Sequence, residues 1–399
     1  MMLKAIGDMN GVRGKRVLVR ADLNVPVEGG RISDDSRIRR FAPTAKRLSD
    51  MGAKVIVLTH YGRPKGRDME FSTRMLAPAL AKAIGRHVSF VPDAKGPEVE
   101  AAVADMGDGD IILLENVRFY PEEERNDPAF AAELAKLGDV YVNDAFSAAH
   151  RAHASTEGIT RFLDSYAGLL MAEEVDALSA ALENPARPAV AIVAGSKVST
   201  KIALLGNIVA RVDAMIIGGA MANTFLLARG HDIGASLAEP DMADTAGRIL
   251  AKAAAAGCEI LLPVDARVAK ELRPGAVSRV VKLDGIAPDD MILDIGGETI
   301  GMFKAAIAKA KTVLMNGPLG AFEVPPFDVG TDAIVEHIAD LTEAGKLMSI
   351  AGGGDTVSAI NKAGRGGGFT YISTAGGAFL EWLEGKTLPA IVPLEKKDV

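Results

Sequence analysis

The stretch "KLMSIAGGGDTVSAINKAG", residues 346–364, holds an apolar run, three consecutive glycines, an acid and a threonine, and then a helical pattern. It reads as a buried strand that ends in a backbone gap and re-enters the fold as a helix. Glycines let a backbone come close to a ligand, and the helix start offers N–H groups without intrahelical partners to an anion. Asp355 has two readings. It is a cap or first-turn residue of that helix, or it is a magnesium ligand, since magnesium takes one or two carboxylates together with phosphate oxygens.

The same plan recurs outward in both directions. Short aliphatic or β-branched runs end in turn residues at "RVLVRADLN" (16–24), "KVIVLTHYGR" (54–63), "DIILLENVRF" (110–119) and "DVYVNDAFSAAHR" (139–151). They return at "AVAIVAGSK" (189–197), "AMIIGGAMAN" (214–223), "CEILLPVDAR" (258–267), "TVLMNGPLGAFE" (312–323) and "FTYISTAGG" (369–377). Unbroken runs of this kind fit strands buried on both faces. Helical stretches lie between them, such as 37–52 closing on Gly52 and 73–85 closing on Gly85. Strands alternating with helices imply parallel, doubly wound sheets, and the length of 399 residues implies two of them. Residues 168–188 carry Leu170, Val175, Leu178 and Leu182 at helical spacing up to Asn184-Pro185. A helix bridging two sheets fits there, as does an ordinary crossover within one large domain.

Composition narrows the function. Hydrophobic residues at 48% and charged ones at 24% describe a folded α/β protein. The net charge of −7 argues against nucleic-acid binding, and its acidic excess lies beyond residue 170. No apolar stretch is long enough to cross a membrane and the N-terminus shows no export signal, so a cytoplasmic location is expected. The single cysteine, Cys258, excludes an internal disulfide.

Ligands of open α/β sheets bind beyond the carboxyl ends of the strands. In the first half those ends carry Arg20, Asp22, Asn24, His60, Arg63, Asn116, Arg118, Asn143, Asp144, His150 and Arg151, with Arg37 shortly after the first end. Several arginine forks converging on one place suit a small, multiply anionic molecule. "HRAH" (150–153) lacks the carboxylate or cysteine partners of a zinc site. In the second half the same positions hold Gly195-Ser196-Lys197, Gly218-Gly219, Asn316-Gly317-Pro318, Gly352 to Asp355 and Gly376-Gly377, a backbone-rich surface able to hold a polyphosphate. The P-loop, GxGxxG, HRD and DFG signatures are absent. If a helix begins near Ser196, Lys197 and Lys201 project from one face of it.

With these segments side by side, the chain resembles the phosphoglycerate kinase family. The resemblance rests on "RADLNVP" (20–26), "DDSRIRR" (34–40), "THYGRPKG" (59–66), "LLENVRFYPEEE" (113–124) and "YVNDAFSAAHRAHAST" (141–156). It continues through "AGSKVSTKI" (194–202), "MNGPLGAFE" (315–323), "AGGGDT" (351–356) and "STAGGAFLE" (373–381), in the family's order over nearly the whole chain. It implies an α/β fold of two doubly wound, Rossmann-like parallel-sheet domains. These are a triose-binding domain (1–167), a hinge helix (168–188), a nucleotide-binding domain (189–385) and a closing segment (386–399) packed back on the first domain.

The resemblance also implies reversible phosphoryl transfer between 1,3-bisphosphoglycerate and MgADP, giving 3-phosphoglycerate and MgATP, in a monomer whose cleft closes by hinge motion. By position, Asp22 and Asn24 would hold the glycerate hydroxyl and carboxyl end, and His60, Arg63, Arg118 and Arg151 the phosphate that is not transferred. Lys201, Asn316, Glu323, Gly353, Gly354, Asp355 and Thr356 would bind nucleotide, with Glu323 at the ribose and Asp355 at Mg2+. Arg37 and Lys197 would be the catalytic contacts to the migrating group. Two departures stand out: Tyr61 where the family has leucine, and Ala375 where it has glycine, which would incur strain at positive φ. A closing anion-binding protein without chemistry, or a kinase for another acyl phosphate, would use a similar plan.

Overall fold

Valine, isoleucine and leucine without polar alternation have no face to show to water, and these runs become central strands. The protein is described by a computed structural model over residues 1–396. It divides into two units, residues 1–176 with the chain from Thr387, and Ala177–Lys386.

The first unit holds β1 (Arg16–Ala21), β2 (Lys54–Thr59), β3 (Ser89–Val91), β4 (Ile111–Leu114), β5 (Val140–Asp144) and β6 (Ser165–Ala167). They form one parallel sheet in the order β3-β4-β2-β1-β5-β6. Val17, Val19, Val55, Val57 and Val142 pack on one face, while Leu18, Ile56, Leu58 and Tyr141 pack on the other. Helix α1 (Ser36–Asp50) buries Ile38, Phe41, Ala45 and Leu48, spaced three and four residues apart, against the first of these faces. The chain runs from β1 outward through β2 and β4, then returns to place β5 on the other side of β1. That reversal opens a crevice at the carboxyl ends of β1 and β5. The stretch from Thr387 rejoins this unit, where Leu394 O accepts from Lys4 N at 2.7 Å and Met2 O from Lys396 N at 2.9 Å. Residues 397–399 of the closing segment lie outside the described residues.

The second unit repeats the plan with β7 (Ala189–Ala194), β8 (Ala214–Gly218) and β9 (Glu259–Leu261). A small antiparallel sheet follows, made of β10 (Asp265–Ala269), β11 (Ser278–Lys282) and β12 (Met291–Ile295) in the order β11-β10-β12. The chain then adds β13 (Thr312–Asn316), β14 (Met348–Gly352) and β15 (Tyr371–Ser373), completing a second parallel sheet in the order β9-β8-β7-β13-β14-β15. Here the reversal falls between β7 and β13, whose strands pair directly from Thr312↔Ala189 to Asn316↔Val193. The expected pair of doubly wound sheets is therefore present, and the antiparallel sheet is an addition to it. Helix α2 (Leu169–Leu182) occupies the bridging stretch, ends short of Asn184 and buries Val175, Leu178 and Leu182.

Two local expectations are corrected. No helix begins near Ser196: α3 spans Ile202–Ile208 with Lys201 at its cap, so Lys197 stands in the preceding loop and the two lysines do not share a helical face. Ala375 takes no positive φ, because Gly376 carries the left-handed turn at φ +54, and the anticipated strain is absent.

Candidate functional site

Asp22 leaves β1 and meets its partners at the first reversal point. Its Oδ2 accepts from Arg37 Nη1 at 2.7 Å and from the Ser147 hydroxyl beyond β5, while Oδ1 accepts from Asn24 N at 3.1 Å. Arg37 lies in the first turn of α1, where the helix dipole disfavours a cation, and Asp22 offsets that cost. Burial pushes the Asp22 carboxyl up, but the positive charge beside it, with Arg37 in direct contact, and the Ser147 hydroxyl hold it below the usual range. Arg37 also donates to Asn24 O at 3.1 Å.

The loop after β2 is tied to the same cluster through one residue. Gly62 N donates to Asn24 Oδ1 at 2.9 Å, and Gly62 O accepts from Arg118 Nη1 at 2.8 Å. Position 62 has φ +62, and a Cβ there would lie 2.2 Å from the Phe71 ring, so only glycine fits. Tyr61, where the family has leucine, tilts against Phe71 with ring centroids 6.3 Å apart. Arg63 and Arg151 stand exposed; Arg151 donates to His150 Nε2 at 3.1 Å, and Arg63 has no hydrogen-bond or ion-pair partner among the described residues. Burial lowers the Arg118 guanidinium, with Arg20 and Arg151 adding repulsion. His60 is pushed well below its ordinary range by burial and then by the charge of Arg20. The fold thus gathers Asp22, Asn24, Arg37, His60 and Arg118, with Arg63 and Arg151 on adjoining exposed loops. This is a cationic surface partly compensated by Asp22 at Arg37 and by Glu124, 3.3 Å from Arg118 Nε.

At the second reversal point Lys201 crosses from one exit to the other. Its Nζ donates to Ala194 O at the end of β7 and to Asn316 Oδ1 at 2.7 Å at the end of β13. Burial lowers its ammonium to about 8, with Asp355 pulling the other way. Asn316 Nδ2 donates to Gly352 O at 2.8 Å, and Gly317 N donates to Thr356 Oγ1 at 2.8 Å. Asn316 and Thr356 are both buried, so their polar atoms lace the strand exits together.

Helix α4 (Gly354–Lys362) follows Gly353 as its cap, which places Asp355 second in the helix rather than at the cap. The Asp355 carboxylate is exposed and takes no hydrogen bond or ion pair among the described residues. A cavity of about 350 Å³ lies between these exits and β12, walled by Gly219, Leu237, Leu293, Leu319 and Phe322, with Glu323 and Asp355 at its edge. Lys197 is exposed on the loop that enters it, where Ser199 is clamped by Glu239 at 2.5 and 3.0 Å. An apolar slot with carboxylates in its lining and an exposed lysine on the adjoining loop suits a planar ring carrying an anionic tail.

Sequence reasoning missed Ser147, Glu123 and Ser155. Ser147 follows a strand end in "NDAFSAAHR", a position that could have flagged it. Glu123 sits inside an acidic run that reads as solvated surface, although its side chain is fully buried. Among the described residues no three His, Cys, Asp or Glu side chains gather as a metal site, so a cation here would depend on Asp355 and ligand oxygens.

The family model described as phosphoglycerate kinase matches residues 6–386. A phosphoglycerate kinase of Bradyrhizobium diazoefficiens is 58% identical over 386 residues, 97% of each chain. One of Cereibacter sphaeroides is 57% identical over 393 residues, covering 98% of this chain and 99% of its own. Among solved structures, phosphoglycerate kinase from Coxiella burnetii superposes with a TM-score of 0.92 at 42% identity, covering 98% of this chain and 99% of its own. The enzyme from Pyrococcus horikoshii gives 0.79 at 31%, covering 98% of each. Strand exits that gather arginines in one unit and glycines, lysine and asparagine in the other accompany this similarity along nearly the full chain, and the protein belongs to the phosphoglycerate kinase family.

Proposed function

We propose that the chain catalyses reversible phosphoryl transfer between the acyl phosphate of 1,3-bisphosphoglycerate and ADP, giving 3-phosphoglycerate and ATP. One observation carries the reading: the two sheet reversals bear complementary chemistries, a cationic cluster around Asp22 and His60 and an apolar slot lined in part by Glu323 and Asp355, with Lys197 exposed on the loop just beyond its Ser196 wall. In this reading Asp22 and Asn24 take the glycerate end of the triose, and His60, Arg63, Arg118 and Arg151 take its stable phosphate. Lys201, Asn316, Glu323, Gly353, Gly354, Asp355 and Thr356 form the nucleotide site, and Arg37 and Lys197 face the migrating group.

Phosphoryl transfer needs little covalent help; fixed cations that cancel charge on the equatorial oxygens supply most of the acceleration. No side chain serves as a nucleophile, and direct transfer requires the two bound ligands to meet. Asp355 fits a magnesium ion, because its exposed carboxylate has no hydrogen-bond partner among the described residues and adjoins the proposed polyphosphate position. The ion, when bound with nucleotide, would neutralise phosphate charge. We place the enzyme in the cytoplasm as a monomer, a setting compatible with the free thiol of buried Cys258.

The deciding measurement is ATP formation from 1,3-bisphosphoglycerate and ADP, with and without magnesium, beside acetyl phosphate as donor. Magnesium-dependent ATP from the triose alone is expected; equal use of acetyl phosphate, or no ATP, overturns the reading. Asp355→Ala is expected to raise KM for MgATP about tenfold or more, the usual scale for losing a charged contact. An unchanged KM removes Asp355 from its role.

Lys201 gives a second expected result. A polyphosphate favours the charged ammonium and draws its pKa upward from about 8. Nucleotide binding at pH 8 is therefore expected to take up about half a proton, and at pH 6.5 almost none from this group, as the titration midpoint requires. Calorimetry in buffers of differing ionisation enthalpy reads the uptake, and Lys201→Met removes it.

A further inference from the structure

Beneath the cationic cluster runs a buried polar chain of residues not yet given a role, which ends on His60. Glu123, fully buried, accepts from Ser155 twice: from the hydroxyl at 2.5 Å onto Oε1 and from the backbone N–H at 2.9 Å onto Oε2. Ser155 Oγ in turn accepts from Arg20 Nε at 2.8 Å, and Tyr141 donates its hydroxyl to Ser155 O at 2.7 Å. Arg20 is 1% exposed. Its Nη1 donates to Ala21 O, and its Nη2 lies 3.0 Å from His60 Nδ1. A guanidinium has only donors, so His60 Nδ1 must be the acceptor at this contact. A neutral imidazole that accepts at Nδ1 carries its proton at Nε2.

The charged groups around the ring agree. Arg20 and Asp22 approach from β1 and its exit, Arg37 from α1 and Arg118 from the turn at 117–119. Burial and the cations outweigh Asp22 and disfavour the imidazolium. His153, 3.8 Å from Glu123, is also held neutral, its pKa lowered to about 4 by burial and then Arg20.

We infer that Glu123 and Ser155 are positioning residues: they fix the Arg20 guanidinium, which locks His60 as the neutral tautomer that presents Nε2–H to the triose. The role at the triose rests on the function proposed above, whereas the lock itself is a property of the free protein. A hydrogen-bond donor of fixed direction discriminates ligand oxygens better than a ring free to turn or to protonate. Loss of the Ser155 hydroxyl leaves Arg20 Nε without its acceptor, so the fork is held only by Ala21 O and the His60 ring itself and its orientation is no longer fixed from behind.

The test is long-range 1H–15N NMR of His60 in the ligand-free, full-length protein between pH 5.5 and 8, a range that brackets the ordinary histidine midpoint of about 6.5. The expected wild-type spectrum has protonated Nε2 and unprotonated Nδ1 throughout, with no titration. In Ser155→Ala the ring is expected to titrate within that range or to show both tautomers. KM for 3-phosphoglycerate should rise about tenfold, the scale of one lost charge-assisted hydrogen bond, with kcat within about twofold and KM for MgATP unchanged. Ser155→Thr, which keeps the hydroxyl, should restore the wild-type spectrum.

A wild-type His60 that carries its proton on Nδ1, or titrates in the ordinary range, overturns the inference whatever the variants do. So does a folded Ser155→Ala protein with unchanged His60 signals. If Ser155→Ala does not fold, Glu123→Gln is read in its place against the same two outcomes. An enzyme inactive on 3-phosphoglycerate would sink the proposed function while leaving the tautomer measurement valid.

Discussion

Lys197→Ala is expected to lower kcat by about 100-fold or more, the usual cost of deleting a cation that meets charge developing in the transition state. Stability should stay within about 0.5 kcal/mol of wild type, as for a surface substitution. The separation follows from the loop. Lys197 is exposed and its ammonium takes no hydrogen bond or ion pair among the described residues. Its carbonyl, which accepts from Thr200 Oγ1 at 3.0 Å, survives the change, as does the Glu239 clamp on Ser199. Arg37→Ala should differ. The kcat loss is of the same order, but Asp22 keeps a buried carboxylate stripped of its 2.7 Å partner, costing about 1–3 kcal/mol of stability. Steady-state kinetics beside urea unfolding distinguishes the two. A near-normal kcat for Lys197→Ala would remove that residue from the migrating group.

Much of this arrangement was legible because the parallel strands announce themselves. Val17 to Val19, Val55 to Leu58 and Ala189 to Ala194 are buried on both faces, and no polar side chain interrupts them. The anion-binding exits followed from the same runs, since ligand groups stand where the apolar letters stop. What stayed hidden was short or exposed. β3 and β6 are three residues each, and β11 shows water several of its side chains, so none of the three carries an apolar signature. The Lys197 loop looked like helix because its letters tolerate helix, whereas the pairing of β7 with β13 lets Lys201 bond across the exits just ahead of α3. Glu123 illustrates a harder limit. In "PEEER" its two glutamate neighbours reach solvent and it does not, a distinction made by Ser155 thirty-two residues away and by nothing adjacent in the chain.

Gly317→Ala is expected to weaken the second unit by about 3 kcal/mol or more, combining a backbone strain of about 1–3 kcal/mol with overpacking of similar size. Position 317 has φ +115, and a Cβ built there falls 2.1 Å from Ala194 O and 2.6 Å from its carbonyl carbon. Neither atom can yield cheaply, because Ala194 ends β7 in register with Gly218 of β8. Relief would push β7 away from β13 at the point where Lys201 bonds to both Ala194 O and Asn316. Nucleotide affinity should therefore fall about tenfold or more along with stability, on the scale of one disrupted charged hydrogen bond. Trp382 is the only tryptophan of the chain, lies in this unit and is 7% exposed, so its fluorescence in urea reports the unit directly. Gly247→Ala is the control. It lies within the helix Ala243–Ala256, has no positive φ and leaves a new Cβ with no atom within 4 Å, so alanine should stabilise by about 0.5–1 kcal/mol through helix propensity. If Gly317→Ala unfolds at or above the wild-type midpoint, the close approach of β7 and β13 does not constrain position 317 and the glycine there serves no structural purpose.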